Sequence, residues 1–368
     1  MRRRTFVSGL AAPMLGVSLG GGVGPLLASS HSTPSLRLAG YAYDRVEGLI
    51  DGSIEVEGFD HSFETDRIGG LNTDALGGPM TREATEIGLV PYIIAYSNEG
   101  LRNHTLIPVF TLRTFRHKSI YIRPDRGIKR PEDLKGKTIA TPGYSSTSLT
   151  WIRGIVEDEY GVSPSDINWV VSADDSAGGA TGGASGFENF IPDVDNISTG
   201  PEGMDESDLL VEGVVDALFH AAEPRAFVES NPLCVRLFDD SRATEQAYFT
   251  KTGIYPIMHA VAVRQDFADA HPEVIAALFE AYSKAKTQVY SFQRKAAWYI
   301  NTVPWISQEL EQTRAIMGDN FHSYGMTDAN RKTLDALFRY CHDQGLSQNL
   351  LSIEELFHKS SLDLIEKV

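Results

Sequence analysis

The chain has 368 residues, 42% of them hydrophobic and 22% charged. A single core stops growing near roughly 250–300 residues, so two lobes are expected and a disordered polyelectrolyte is excluded. The net charge of −16 excludes nucleic acid and an anionic bilayer as partners, and Cys234 and Cys341 are too few for a disulfide scaffold.

The first thirty residues read as an address. Arg2-Arg3-Arg4 precede Thr5-Phe6, a Gly-rich apolar stretch runs to about Leu27, and Ala28-Ser29-Ser30 supplies small residues for cleavage. That order predicts a secretory leader of the twin-arginine type. The chain after residue 30 is then exported to the periplasm, with no membrane-spanning segment of its own. A periplasmic protein has no supply of nucleotide cofactors, and no phosphate-binding glycine motif sits between a strand and a helix. No cofactor and no metal site is expected. Asp44, Glu86, His117 and His259 are the residues that could converge on an ion, but their spacing matches no metal motif.

In chain order, Ser35–Tyr43 alternates as a first strand. Asp44–Ile50 predicts a short helix, Ser53–Phe63 a strand pair turning at Glu57-Gly58, and Glu86–Val90 a buried strand. Leu106–Ile122 predicts one extended run, rich in β-branched and aromatic residues. The clearest module follows. Lys137–Ala140 is a strand, Pro142-Gly143-Tyr144 breaks it, and Ser145-Ser146-Thr147-Ser148 caps a helix to about Tyr160. Gly161 ends that helix and Ile167–Val171 is the next strand, so a parallel sheet is expected. Residues 172–201 are rich in Gly, Ser and Asp and predict a long loop. Asp208–Ala217 turns from helix to strand, Val235–Phe238 and Ile254–Val263 are further strands, and Pro272 onward is helical.

Asp133-Leu134-Lys135-Gly136-Lys137-Thr138-Ile139 and Gly213-Val214-Val215-Asp216-Ala217 resemble the type II periplasmic substrate-binding proteins, in the branch of thiamine-precursor and sulfonate binders. Tyr43-Asp44-Arg45, Arg113-Thr114-Phe115-Arg116-His117, Trp151-Ile152-Arg153-Gly154, Pro256-Ile257-Met258-His259 and Gln344-Gly345-Leu346 resemble 4,5-dihydroxyphthalate decarboxylase and its relatives. The resemblance runs from about residue 36 to 358. It implies an α/β fold of two lobes, each a mostly parallel sheet flanked by helices, with a ligand cleft between them. Lobe 1 is expected over 31–125 and 255–368, and lobe 2 over 126–254. One stretch departs from the family: Glu86 stands for a usual Asp, and Leu89 stands where a second acid is usual.

Ligands of such sheets bind beyond the carboxyl ends of strands. That rule selects Tyr41, Tyr43 and Asp44 after the first strand, and Ser145, Ser146 and Thr147 at a helix N-terminus suited to an anion. The same hydroxyls also read as plain caps. Alternation puts Arg113 and His117 on one face of the extended run and Arg116 on the other; arginine grips a carboxylate with two parallel bonds. Trp151 reads as a stacking platform or as core. Arg153, Glu223 and His259 complete the expected ligand set. Two functions follow. In the first, the protein captures a small organic anion, plausibly an aromatic carboxylate, for an ABC-type membrane permease. In the second, it is a cofactor-independent decarboxylase of a hydroxylated phthalate. There His117 or His259 protonates the ring carbon, and Arg113 or Arg116 holds the retained carboxylate. Export and the replaced acid favour the first.

Overall fold

The computed structural model describes residues 33–178 and 189–367. The expected leader over 1–30 lies outside the described residues, as does part of the loop expected over 172–201.

The strands are β1 (Ser35–Gly40), β2 (Asp60–Thr65), β3 (Ala84–Gly88), β4 (His104–Arg113), β5 (Ile120–Ile122), β6 (Thr138–Thr141), β7 (Asn168–Val171), β8 (Ile197–Thr199), β9 (Ala217–Phe219), β10 (Val235–Arg236) and β11 (Ile257–Arg264). They form two sheets, ordered β2-β1-β3-β11-β4 and β10-β5-β9-β6-β7-β8. In the first, β1 runs parallel to β2 and β3, and β11 returns antiparallel between β3 and β4. In the second, β6 is parallel to β7 and β9, as its strand–helix–strand sequence predicts.

Burial follows position. Every residue of β3 is buried, Thr85 and Glu86 included, and β11 is buried until Arg264. β2, at an edge, alternates between exposed and half-buried side chains. The helices are α1 (Glu47–Ile50), α2 (Ile68–Leu76), α3 (Leu89–Asn98), α4 (Thr147–Tyr160), α5 (Glu206–Val211), α6 (Arg225–Val228), α7 (Ser241–Thr252), α8 (Gln265–Ala270), α9 (Val274–Ile300), α10 (Ile306–Met317), α11 (Asp328–Asp343) and α12 (Ile353–Leu356). No helix among the described residues is long and apolar enough to cross a membrane.

Three expectations are corrected. Residues 53–59 form turns that bury Val56 and Phe59, so only β2 forms there, and it pairs parallel to β1 rather than as a hairpin. The run expected over Leu106–Ile122 breaks after Arg113. The chain then leaves the first sheet, and β5 pairs with β9 in the second. The chain therefore passes from one sheet to the other between Arg113 and Ile120. Within 172–201, Ile197–Thr199 forms a strand beside β7.

Helix α4 ties the two sheets together. Ser146 caps it by accepting from Leu149 N–H, and Gly161 closes it at φ 66°, a left-handed position that suits glycine. Trp151 on α4 donates from Nε1 to the Ile257 carbonyl of β11 at 2.9 Å. Gly154 lets Tyr340 of α11 pack directly on the helix: a Cβ there would sit 2.4 Å from the Tyr340 ring.

Candidate active site

A cavity of about 300 Å³ opens between residues that lie on or just after strands of both sheets. From the first sheet come Tyr41, Tyr43, Leu112 and His259. From the second come Pro142, Gly143, Ser146, Thr147, Asp175, His220, Ala221 and Ala222. Arg116, on the crossing segment, together with Ile68, Ser148 and Leu149, completes the wall. A larger groove of about 540 Å³ lies along α9, lined by Asp44, Glu47, Asp51, Gln288 and Phe292 among others. It offers three carboxylates and no basic side chain, so it is unsuited to an anion, and the smaller cavity is the candidate site.

On the first sheet, Glu86 is the organising residue. It is 1% exposed and accepts from His259 Nδ1 at 2.6 Å, Tyr43 hydroxyl at 2.9 Å and Tyr41 N–H at 3.0 Å. Burial opposes its ionisation, but the bond from His259, the charge of that ring and the two tyrosine donors outweigh burial and hold its carboxyl below the usual range. Gly40 makes room for it: a Cβ at that position would meet Glu86 Oε2 at 3.0 Å. With Nδ1 engaged on a carboxylate, Nε2 of His259 is the nitrogen left for a ligand. The His259 ring stacks near Tyr41, with centroids 6.1 Å apart and planes at 19°.

On the second sheet, His220 follows β9 and Asp175 follows β7. His220 Nε2 lies 3.0 Å from Asp175 Oδ1 and 3.6 Å from Glu206 Oε1. Burial pushes the Glu206 carboxyl up. Arg116 is 5% exposed, donates from Nη1 to the Ala221 carbonyl at 2.7 Å, and has no hydrogen-bond partner for Nε. Burial lowers its guanidinium to about 10, so it remains a cation at neutral pH. The cavity thus holds a buried cation beside two histidine–carboxylate pairs on opposite walls.

Of the expected residues, the structure brings Tyr41, Tyr43, Arg116, Ser146, Thr147 and His259 to the cavity. Ser146 is engaged as a cap, and Thr147 Oγ1 accepts from Val90 N–H at 3.1 Å. Ser145 is fully buried and not in the wall. The remaining expected residues lie elsewhere. Arg113 ends β4 and donates to the Tyr255 and Ser323 carbonyls and to Asn330 Oδ1, away from the cavity. His117 is in a short 3-10 turn, so strand alternation does not apply to it; it packs against Phe238 and Tyr248 with both ring nitrogens unpartnered. Trp151 and Arg153 are core: Trp151 meets Tyr340 edge-on, and Arg153 donates to Gln344 and the Tyr144 carbonyl. Asp44 lines the other groove, and Glu223 is exposed and paired with Arg236. Asp44, Glu86, His117 and His259 do not converge as a set. Sequence reasoning missed Asp175, Glu206 and His220. The rule that selected Tyr41 finds Asp175 and His220 when applied to β7 and β9.

Residues 102–190 match the family described as NMT1/THI5 like. Over 330 residues the chain is 32% identical to a 4,5-dihydroxyphthalate decarboxylase of Comamonas testosteroni, covering 87% of this chain and 95% of the relative. Over 215 residues it is 29% identical to the enzyme of that name from Pseudomonas putida, covering 58% and 81%. Among solved structures it is similar to a periplasmic sulfonate-binding protein, SsuA, of a putative sulfonate ABC transporter from Methylobacillus flagellatus KT. There the TM-score is 0.56 at 15% identity, over 89% of this chain and 92% of that one. A ligand-binding component of an ABC-type import system from Staphylococcus aureus gives a TM-score of 0.50 at 10% identity, over 89% and 98%. The fold is that of the type II periplasmic binding proteins.

Proposed function

The chain belongs to the 4,5-dihydroxyphthalate decarboxylase family, and on that premise we propose that its cleft binds a hydroxylated aromatic carboxylate and releases carbon dioxide from it without an organic cofactor. The observation that carries the reading is the convergence of histidines and acids on one small cavity. A receptor needs only to neutralise and enclose its anion. Here His259 is oriented by a buried carboxylate, as a proton donor or acceptor must be.

In this reading Arg116 holds the retained carboxylate, and Tyr41, Tyr43 and Leu112 enclose the ring. A protonated His259 delivers its Nε2 proton to the ring carbon that bears the leaving carboxylate. The bond between that carbon and the carboxylate breaks, its electron pair restores the aromatic ring, and carbon dioxide departs. Glu86 steadies the imidazolium before transfer, and water restores the proton afterwards. Leu89 leaves the family's second acid missing from its usual place, while Asp175 brings a carboxylate to the cleft from another element.

The test is carbon dioxide release from phthalates, hydroxyphthalates and benzoates, with thermal melting followed in the same samples. Release by the wild type, lost in His259→Ala with the ligand-induced melting shift retained, supports catalysis. A melting shift without release from any member of the panel supports the second reading instead. In that reading the protein is an exported receptor that presents a small organic anion to an ABC-type permease. The opening Arg-Arg-Thr-Phe pattern favours it, as does a fold shared with sulfonate-binding proteins.

A further inference from the structure

Asp175, Glu206 and His220 bring two carboxylates and one imidazole together from three elements, with all candidate ligand atoms within 4.8 Å of one another. The His220 and Glu206 side chains are fully buried and that of Asp175 is 23% exposed. These are not the solvated acids of a protein surface.

The two histidine–carboxylate separations match those of ligands on one ion. Two ligands held at about 2.0–2.1 Å by a tetrahedral ion lie about 3.3 Å apart. His220 Nε2 is 3.0 Å from one carboxylate oxygen and 3.6 Å from the other. The outer partners suit the same purpose. His220 Nδ1 has both the Ala222 N–H at 2.9 Å and the Ala222 carbonyl at 3.1 Å beside it. The N–H suits one ring tautomer and the carbonyl the other; the tautomer that donates from Nδ1 to the carbonyl is the one that leaves a lone pair at Nε2 for an ion. Ser176 N–H donates to Glu206 at 3.2 Å, and Ala177 N–H to Asp175 at 2.8 Å.

A second observation is independent of the cluster. Arg116 is 95% buried (5% exposed) and lines the same cavity with its Nε unpartnered. Its other contact, to the Ala221 carbonyl, fixes it to the loop that carries His220. A buried guanidinium in the wall of the same cavity favours an anionic ligand there. Asp175 and His220 form part of the cavity wall, so an ion held by them would border the cleft, as in a catalytic rather than a closed structural site.

The geometry points to a divalent first-row metal ion held by Asp175, Glu206 and His220, its open position taking an oxygen of an anionic ligand that Arg116 grips at the far end. This assignment goes beyond the proposed reaction and holds for a receptor as well as for an enzyme. The test uses the full chain stripped with a chelator, then titrated with zinc and separately with manganese by calorimetry, with melting followed in parallel. One ion per chain and a raised melting temperature are expected. His220→Ala and Glu206→Gln each weaken binding by at least about tenfold, while the surface variant His342→Ala leaves it unchanged. Asp175→Asn preserves side-chain shape and decides the matter should His220→Ala fail to fold. No stoichiometric binding, or equal binding by the wild type and these variants, overturns the site. Turnover is not measured, so that failure is separate from failure of the decarboxylase reading.

Discussion

Glu86 and His259 are diagonal neighbours on adjacent antiparallel strands: Glu86 is paired with Val261 and His259 with Gly88, and the two side chains meet at 2.6 Å. Sheet register, more than any loop, aims the imidazole. Diagonal pairs lie within reach of long side chains, so the carboxylate comes from one strand and the ring from the next.

This pair gives the first prediction. In the decarboxylase reading, His259→Ala lowers carbon dioxide release by about 10²–10⁴-fold. Glu86→Gln keeps the shape but removes the charge, so it lowers kcat with a smaller effect on KM and displaces the pH profile. Steady-state rates from pH 5 to 9 check it; an unchanged profile in Glu86→Gln sinks the positioning role.

Glu86 also makes stability depend on acid. Its folded-state ionisation lies below the ordinary value of 4.5. Its stabilisation is therefore complete above that value and is lost as pH falls through the lower, folded-state value. Glu86→Gln flattens the acid limb of a urea-denaturation series there.

His117 acts in a neighbouring window. Burial lowers it from 6.5 to about 4. The unfolded chain takes up a proton below about 6.5 and the folded chain only near 4. Stability is thus full above 6.5 and falls between those values, by on the order of 3 kcal/mol from this group. His117→Leu, which leaves no unpaired ring nitrogen, should be near neutral at pH 7 and more stable than the wild type at pH 4.5. Urea midpoints at both pH values test this, and a variant weaker than the wild type at pH 4.5 refutes it.

The joint between α4 and α11 is testable through Gly154. Gly154→Ala forces a methyl into the Tyr340 ring and costs about 1–3 kcal/mol. Tyr340→Leu in the same chain recovers part of that loss. Calorimetric melting of the three variants is the check, and additive effects would contradict the contact.

Cys234 and Cys341 are both free and buried, and burial pushes the Cys234 thiol up to about 12. Neither should react with a thiol reagent in the folded state, and both should react in denaturant. Melting should be the same with and without reductant. A reductant-sensitive transition would rule out the free thiols.

Local signals were legible in the sequence wherever they were self-contained. Ser146 as a cap, Gly161 as a stop and the parallel β6–β7 pair all follow from short-range rules. The fate of Arg113, Trp151 and His117 was not legible, because a polar side chain at a cleft and one satisfied in the core have the same letters. Arg113 is consumed by the Tyr255 and Ser323 carbonyls, which lie 142 and 210 residues away along the chain. Asp175 and His220 were reachable by the strand-end rule, but their meeting with Glu206 depends on the order of β7, β6 and β9 across the sheet.

The bonds of α4 bear on ligand exchange. Trp151 to Ile257 and Thr147 to Val90 both run from the second half of the molecule to the first, and separating the walls would leave buried donors unsatisfied. Opening by separating those walls therefore costs these bonds, and a cleft held in this shape before a ligand arrives loses none of its apparent affinity to a rare competent population. Such a cleft sorts its ligands by dimensions and charge at entry, with residence time governed by the bonds formed inside.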